Sequence, residues 1–113
     1  RLNADGFQVE VPRELAGEVK PWAGKKVVFG IRPEDIEDRA LAANANPAWT
    51  IRALVDVHEP LGSDVILYLT AGSHSFVARV DAHTQAKMGQ TIEVVLDMRK
   101  MHLFNPQTQE AVL

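Results

Sequence analysis

The sequence predicts an all-β fold, a small closed barrel of short antiparallel strands with a short helix or helical turn. Short runs of alternating apolar and polar residues recur, Gly, Pro and Ser turns part them at roughly 10-residue spacing, and helical spacing is confined to one brief segment. Five or six strands that meander and close favour an OB-like barrel over a two-sheet sandwich, and closure protects edges that would otherwise aggregate. A chain of 113 residues is expected to be a single domain, 1–113, able to bury roughly 65% of the surface its unfolded form exposes.

Residues 1–11 alternate Phe7, Val9 and Val11 against Gln8 and Glu10, behind an Asp5-Gly6 turn signal, and so predict a hairpin whose first strand is barely present. The chain looks as if it begins inside an element, as a piece of something longer does. Leu15, Val19 and Trp22 then recur at near-helical spacing, while Gly17 and Pro21 hold any helix to one or two turns that plug a barrel end. Val27, Val28, Phe29 and Ile31 around Gly30 predict an internal strand covered on both faces. Gly30 marks a bend or a close approach. Pro33 holds Arg32 extended and stops the ladder, so that Glu34 and Asp35 follow in a tight corner. One cation and two carboxylates are thereby delivered to a rigid rim.

Residues 37–47 are alanine-rich and charged with few large apolar anchors, so a loop with at most a turn is expected, and 38–48 is the one plausible sub-boundary. From Trp49 onward the pattern is continuously β. Ile51, Ala53, Val55 and Val57 form one core face, and Glu59-Pro60 ends or bulges that strand. Leu61-Gly62-Ser63-Asp64 turns the chain. Val65, Leu67 and Leu69 follow in a strand apolar on both faces, and Ala71-Gly72-Ser73 is a second turn. Phe76, Ala78 and Val80 mark the next strand; residues 81–90 form a polar connection across a barrel end. Ile92, Val94 and Leu96 mark another strand, residues 98–105 a last partial one, and Asn105-Pro106 turns into a closing segment at Ala111-Val112-Leu113.

Composition excludes several classes. No apolar run approaches the roughly 18 residues needed to cross a bilayer, and no basic segment followed by an apolar block opens the chain. Without cysteine there is neither a disulfide framework nor a thiolate metal site, which fits a reducing compartment. A net charge of -3 argues against nucleic acid as a partner, since Lys20, Lys25 and Lys26 are diluted by Glu14 and Glu18. Gly24-Lys25-Lys26 lacks the first glycine and the hydroxyl of a phosphate loop. His58 and Glu59 are strand neighbours on opposite faces, unsuited to acid/base work unless a bulge redirects them. His58, His74, His83 and His102 stand too far apart in sequence to fix two metal ligands on one element. Glu34, Asp35 and Asp38 read as a solvated acidic corner rather than a cation site. Trp22, Trp49, Tyr68 and Phe76 sit mostly at core positions, Trp49 being the best candidate for an exposed stacking ring. Catalytic, cofactor and metal residues are therefore expected to be absent.

Three stretches in order, Gly30-Ile31-Arg32-Pro33-Glu34, Glu59-Pro60-Leu61-Gly62-Ser63 and His102-Leu103-Phe104-Asn105, with Arg79 and Gly89 between, resemble the C-terminal regulatory domain of ATP-binding subunits of sugar-importing ABC transporters, the maltose and glycerol-phosphate class. The resemblance implies an OB-type transport-associated barrel following an ATPase domain that this chain lacks, with ATP and magnesium held by that missing domain. It implies a homodimer with a second copy of the same subunit, contact with its own ATPase domain and through it with membrane subunits, and a place for a regulatory protein or effector. The assembly would lie at the cytoplasmic face of the membrane. Gly30, Arg32, Pro33, Glu34, Glu59, Gly62, Arg79, His102 and Phe104 are the family-motif or interface candidates. The family pattern has Asp after His-Leu-Phe and Gly in the closing turn, where this chain has Asn105 and Gln109, which puts the terminal hairpin's shape in question. The alternative from another class is a free-standing OB-type module binding an oligosaccharide, a nucleic acid or an oxyanion.

Overall fold

The computed structural model describes residues 2–4, 7–43 and 45–111; the expected Asp5-Gly6 turn and the last two residues of the closing segment lie outside these. Among the described residues nine strands and one α-helix follow one another. β1 (Leu2–Ala4) and β2 (Phe7–Val9) pair antiparallel as the N-terminal hairpin. Helix α1 (Arg13–Val19) runs into a 3-10 turn at Lys20–Trp22, the two turns that Gly17 and Pro21 allow. Leu15 and Val19 are half-buried against the core, as an end plug requires.

β3 (Val28–Gly30) corrects the expectation of an internal strand. It ladders only with β9 (His102–Phe104), and Val28 is 50% exposed. Glycine and a nearby proline leave just three residues able to pair, too few to join the main sheet on both sides. A second correction concerns residues 37–47, which open with a strand, β4 (Ile36–Asp38), rather than a loop. Tertiary context decides it: Ile36 is fully buried against β8 (Thr91–Leu96) in register with Leu96. The Asp38 carboxylate is buried too, accepting from the Ala40 N–H at 3.0 Å and the Thr84 hydroxyl at 2.5 Å.

The main sheet has the order β4-β8-β5-β6-β7, with β5 (Thr50–Pro60), β6 (Asp64–Ala71) and β7 (His74–Asp81) joined by hairpins. Its two edge strands, β4 and β7, curl round until they lie against each other, so the barrel is nearly closed. Ile51, Ala53 and Val55, with Val65, Leu67, Leu69, Ala78, Val80, Val94 and Leu96, fill its interior as the alternation predicts. Val57 does not. A bulge shifts the register between Val55 and Val57, so Asp56 is the extra residue and Val57 turns outward, 42% exposed. The strand then continues through Pro60, which sits at a sheet position the bulge had been expected to occupy.

The two hairpins of the main sheet each use a two-residue Gly-Ser turn with the glycine at positive φ, 88° at Gly62 and 60° at Gly72. The connection after β7 crosses the barrel end with Ala86 tucked inward, and Gly89 brings its N–H to the Val55 carbonyl at 2.8 Å. No helix among the described residues is long and apolar enough to cross a membrane.

Candidate functional site

Two 3-10 turns build a charged feature of the surface. In the first, Pro33–Asp35, Arg32 is extended (φ -76°, ψ 146°), as a residue before proline must be, and its carbonyl accepts the Asp35 N–H at 2.9 Å. In the second, Met98–Lys100, the Asp97 carboxylate caps the turn by accepting the Arg99 N–H at 3.2 Å. The two are stitched together where the Asp97 N–H donates to the Asp35 carbonyl at 2.9 Å. Lys100 Nζ lies 3.6 Å from the largely buried Asp35 carboxylate, and Arg99 Nε lies 3.1 Å from Asp97 Oδ1. Burial is the largest influence on the Asp97 carboxyl and pushes it up. The hydrogen bonds from Arg99 and the charges of Arg99 and Lys100 outweigh it and hold the group below its ordinary value.

Between these turns and the side of α1 runs an open groove of about 520 Å³, lined by Arg32, Glu34 and Asp35, by residues 99–102, and by Leu15 and Glu18. His102, far in sequence from Arg32 and Glu34, meets them here. Gly30, Pro33 and Phe104 stand directly behind them. Gly30 is in register with His102 across β3 and β9, and a Cβ on Gly30 would come 3.3 Å from the Phe104 ring, which therefore occupies the room that glycine leaves. The close approach expected at Gly30 is thus by an aromatic ring. The His102 and Phe104 rings stack at 6.3 Å between centroids. Among the described residues, neither Arg32 nor Glu34 uses its side chain in a hydrogen bond or ion pair.

The other three candidates are elsewhere. Glu59 and Gly62 belong to the β5-β6 hairpin, at the opposite end of β5 from Thr50, whose partner Val95 adjoins the groove's own strand end. Arg79 Nε donates to Asp64 at 2.7 Å and so braces that hairpin. His58 and Glu59 stay on opposite faces, since the bulge precedes both. The four histidines do not gather: His83 pairs with Asp81, which lowers the Asp81 carboxyl chiefly through the His83 backbone N–H, and His74 meets Phe7 edge-on at 5.8 Å. Among the described residues no three His, Asp or Glu side chains could hold a metal ion. Trp49 is half-buried with the Arg99 guanidinium over it at 6.0 Å, so the exposed ring is Tyr68, at 38%. Sequence reasoning did not single out Arg99 and Lys100 as groove residues, nor Asp97 as the cap of their turn. The signal was present as Asp-Met-Arg-Lys straight after a strand, a capping acid ahead of two cations.

A nearly closed antiparallel barrel with an accessory hairpin and a short helix is the OB-type architecture. The chain belongs to the TOBE domain family, whose model matches residues 29–104. A MalK OB fold domain model matches residues 1–36. Among curated proteins the chain is 38% identical over 90 residues to the oligosaccharides import ATP-binding protein MsmX of Bacillus subtilis, covering 80% of this chain and 25% of that protein. It is 37% identical over 100 residues to the trehalose/maltose import ATP-binding protein MalK of Thermococcus litoralis, covering 88% and 27%. It is 39% identical over 95 residues to the multiple sugar-binding transport ATP-binding protein MsmK of Streptococcus mutans, covering 84% and 25%. The resemblance to sugar-importer ATP-binding subunits is borne out, and the chain spans about a quarter of the length of these relatives.

Proposed function

We propose that these 113 residues are a single noncatalytic, regulatory and dimer-stabilising domain, C-terminal to the ATPase domain of a sugar-importer subunit. ATP and magnesium belong to that ATPase domain, and membrane subunits are reached through it. The complex works at the cytoplasmic face of the membrane. The observation that carries the dimer role is the state of Arg32 and Glu34, opposite charges on a proline-fixed corner that find no partner within the described chain. A rigid corner offering both signs suits a two-fold contact. In such a contact residue i meets j and j meets i, so Arg32 of each copy faces Glu34 of the other. Joining the barrels raises the effective concentration of one ATPase domain beside the other, and nucleotide-driven closure then needs no diffusional encounter. A regulatory protein or small effector bound in the groove would act on the same contact.

Sedimentation equilibrium over a concentration series tests this. Arg32→Ala and Glu34→Ala should each weaken self-association about ten-fold or more, as loss of a close interfacial charge pair does. Association unchanged in both removes the corner from the interface.

A further inference from the structure

A second groove, of about 690 Å³, opens at the other end of β4 from the Arg32-Pro33-Glu34 corner. It lies between the 3-10 turn at Arg39–Leu41, the connection that follows β7 and the start of β8. Its polar side chains are Asp38, Arg39, His83, Gln85, Gln90 and Glu93, and Leu41, Ala86 and Ile92 supply its apolar surface.

Each of the six polar side chains ends in a planar group with at least two hydrogen-bonding atoms. Three of these groups are already held in place by part of that capacity. The buried Asp38 carboxylate accepts the Ala40 N–H at 3.0 Å and the Thr84 hydroxyl at 2.5 Å, which leaves about half of its roughly four acceptor sites unused. Gln90 Oε1 accepts the Lys87 N–H at 2.9 Å, so its NH2 is spare. His83 Nδ1 pairs with Asp81, so its Nε2 is spare. Groups oriented beforehand cost a ligand little ordering.

The chemistry narrows what such a groove takes. An oxyanion would meet two carboxylates, and an organic cation would meet the Arg39 guanidinium. Among the described residues no three His, Asp or Glu side chains could hold a metal ion. No Trp, Tyr or Phe lines the groove for a base to stack on. Paired donors and acceptors on planar groups match neighbouring hydroxyls on a ring, since each hydroxyl both gives and takes a hydrogen bond. Leu41 and Ile92 suit the C–H face of the same ring. The volume falls within the ~300–1,000 Å³ of small-ligand sites.

We infer that this groove is a binding site for a neutral sugar of one or two rings. Its meaning rests on the reading proposed above: in a sugar-importer subunit the groove takes a sugar already inside the cell, so that the domain senses the product of import. Binding itself does not depend on the Arg32–Glu34 contact, so the two are tested separately.

The test is an amide NMR titration of the 113-residue chain with glucose, galactose, maltose, trehalose and cellobiose, with glycerol and sodium sulfate as controls. At least one sugar should shift amides of residues 38–41, 83–86 and 90–93 saturably, with half-saturation at about 1 mM or below. The controls should not. Gln85→Ala and Glu93→Ala, at exposed positions, should each weaken that binding ten-fold or more while melting within about 2 °C of wild type, and Arg32→Ala should leave it unchanged. Saturation by none of the sugars, shifts confined to other residues, or undiminished binding in both variants overturns the inference. An equal response to glycerol or sulfate overturns it too, because contact would then be unselective.

Discussion

Gln109 sits at φ 62°, the only residue other than glycine at positive φ among those described. It occupies the left-handed place where the family pattern has glycine, and its N–H still donates to the Asn105 carbonyl at 2.7 Å. A side chain in that region costs about 1–2 kcal/mol, offset in part by the extra freedom glycine has when unfolded. Gln109→Gly should therefore raise stability by about 0.5–1 kcal/mol, visible as a rise of a few degrees in the thermal midpoint; a fall would mean the turn is held by the glutamine side chain. Asn105, the other departure, changes little. Its Oδ1 accepts the Gln107 N–H at 2.9 Å, as an aspartate oxygen would. Asp97 makes a pH prediction. Its folded carboxyl lies below the ordinary value of 3.8, so its stabilisation is fully present above that pH and is lost as pH falls through the folded value. Asp97→Asn should melt below wild type at pH 7, and the gap should close below about pH 3.8 in a denaturation series; a gap independent of pH would assign the effect to capping.

At the scale of elements, what was legible and what was not divide by physical cause. Strands with three or more alternating apolar residues, β5 to β8, were legible because their pattern and their burial share one origin. The Gly-Ser hairpins were legible because glycine takes the positive φ they need without steric cost. β4 was not, since one isoleucine between charged residues carries no period, and its strand state comes from the partner β8. Val57 was misplaced because a bulge leaves no mark in residue type, although the adjoining Asp56, bonded at 2.5 Å to the Thr70 hydroxyl, is where the extra residue falls. β3 was overread: four apolar residues around a glycine suit a buried strand, yet its depth depends on how many neighbours it finds, and it finds only β9. The groove was half legible. The Arg32-Pro33-Glu34 corner announces itself through proline stereochemistry, whereas its meeting with His102 and Lys100 is a product of topology.

For the whole molecule, the arrangement divides labour between two regions. The β5-β6 end, with Gly62 and the Arg79–Asp64 brace, keeps the barrel's geometry. The turns at the other end of β5 present charge outward. If that charged end is the two-fold contact, its signs are interchangeable, because each copy offers both. The most direct measurement is sedimentation equilibrium of the charge-swap set, Arg32→Glu, Glu34→Arg and the two combined. Each single reversal should weaken self-association about ten-fold or more, equal to roughly 1.4 kcal/mol, by setting like charges together, and the combined reversal should restore it to near the wild-type level. Singles that associate like wild type, or a double no better than the singles, would contradict the account.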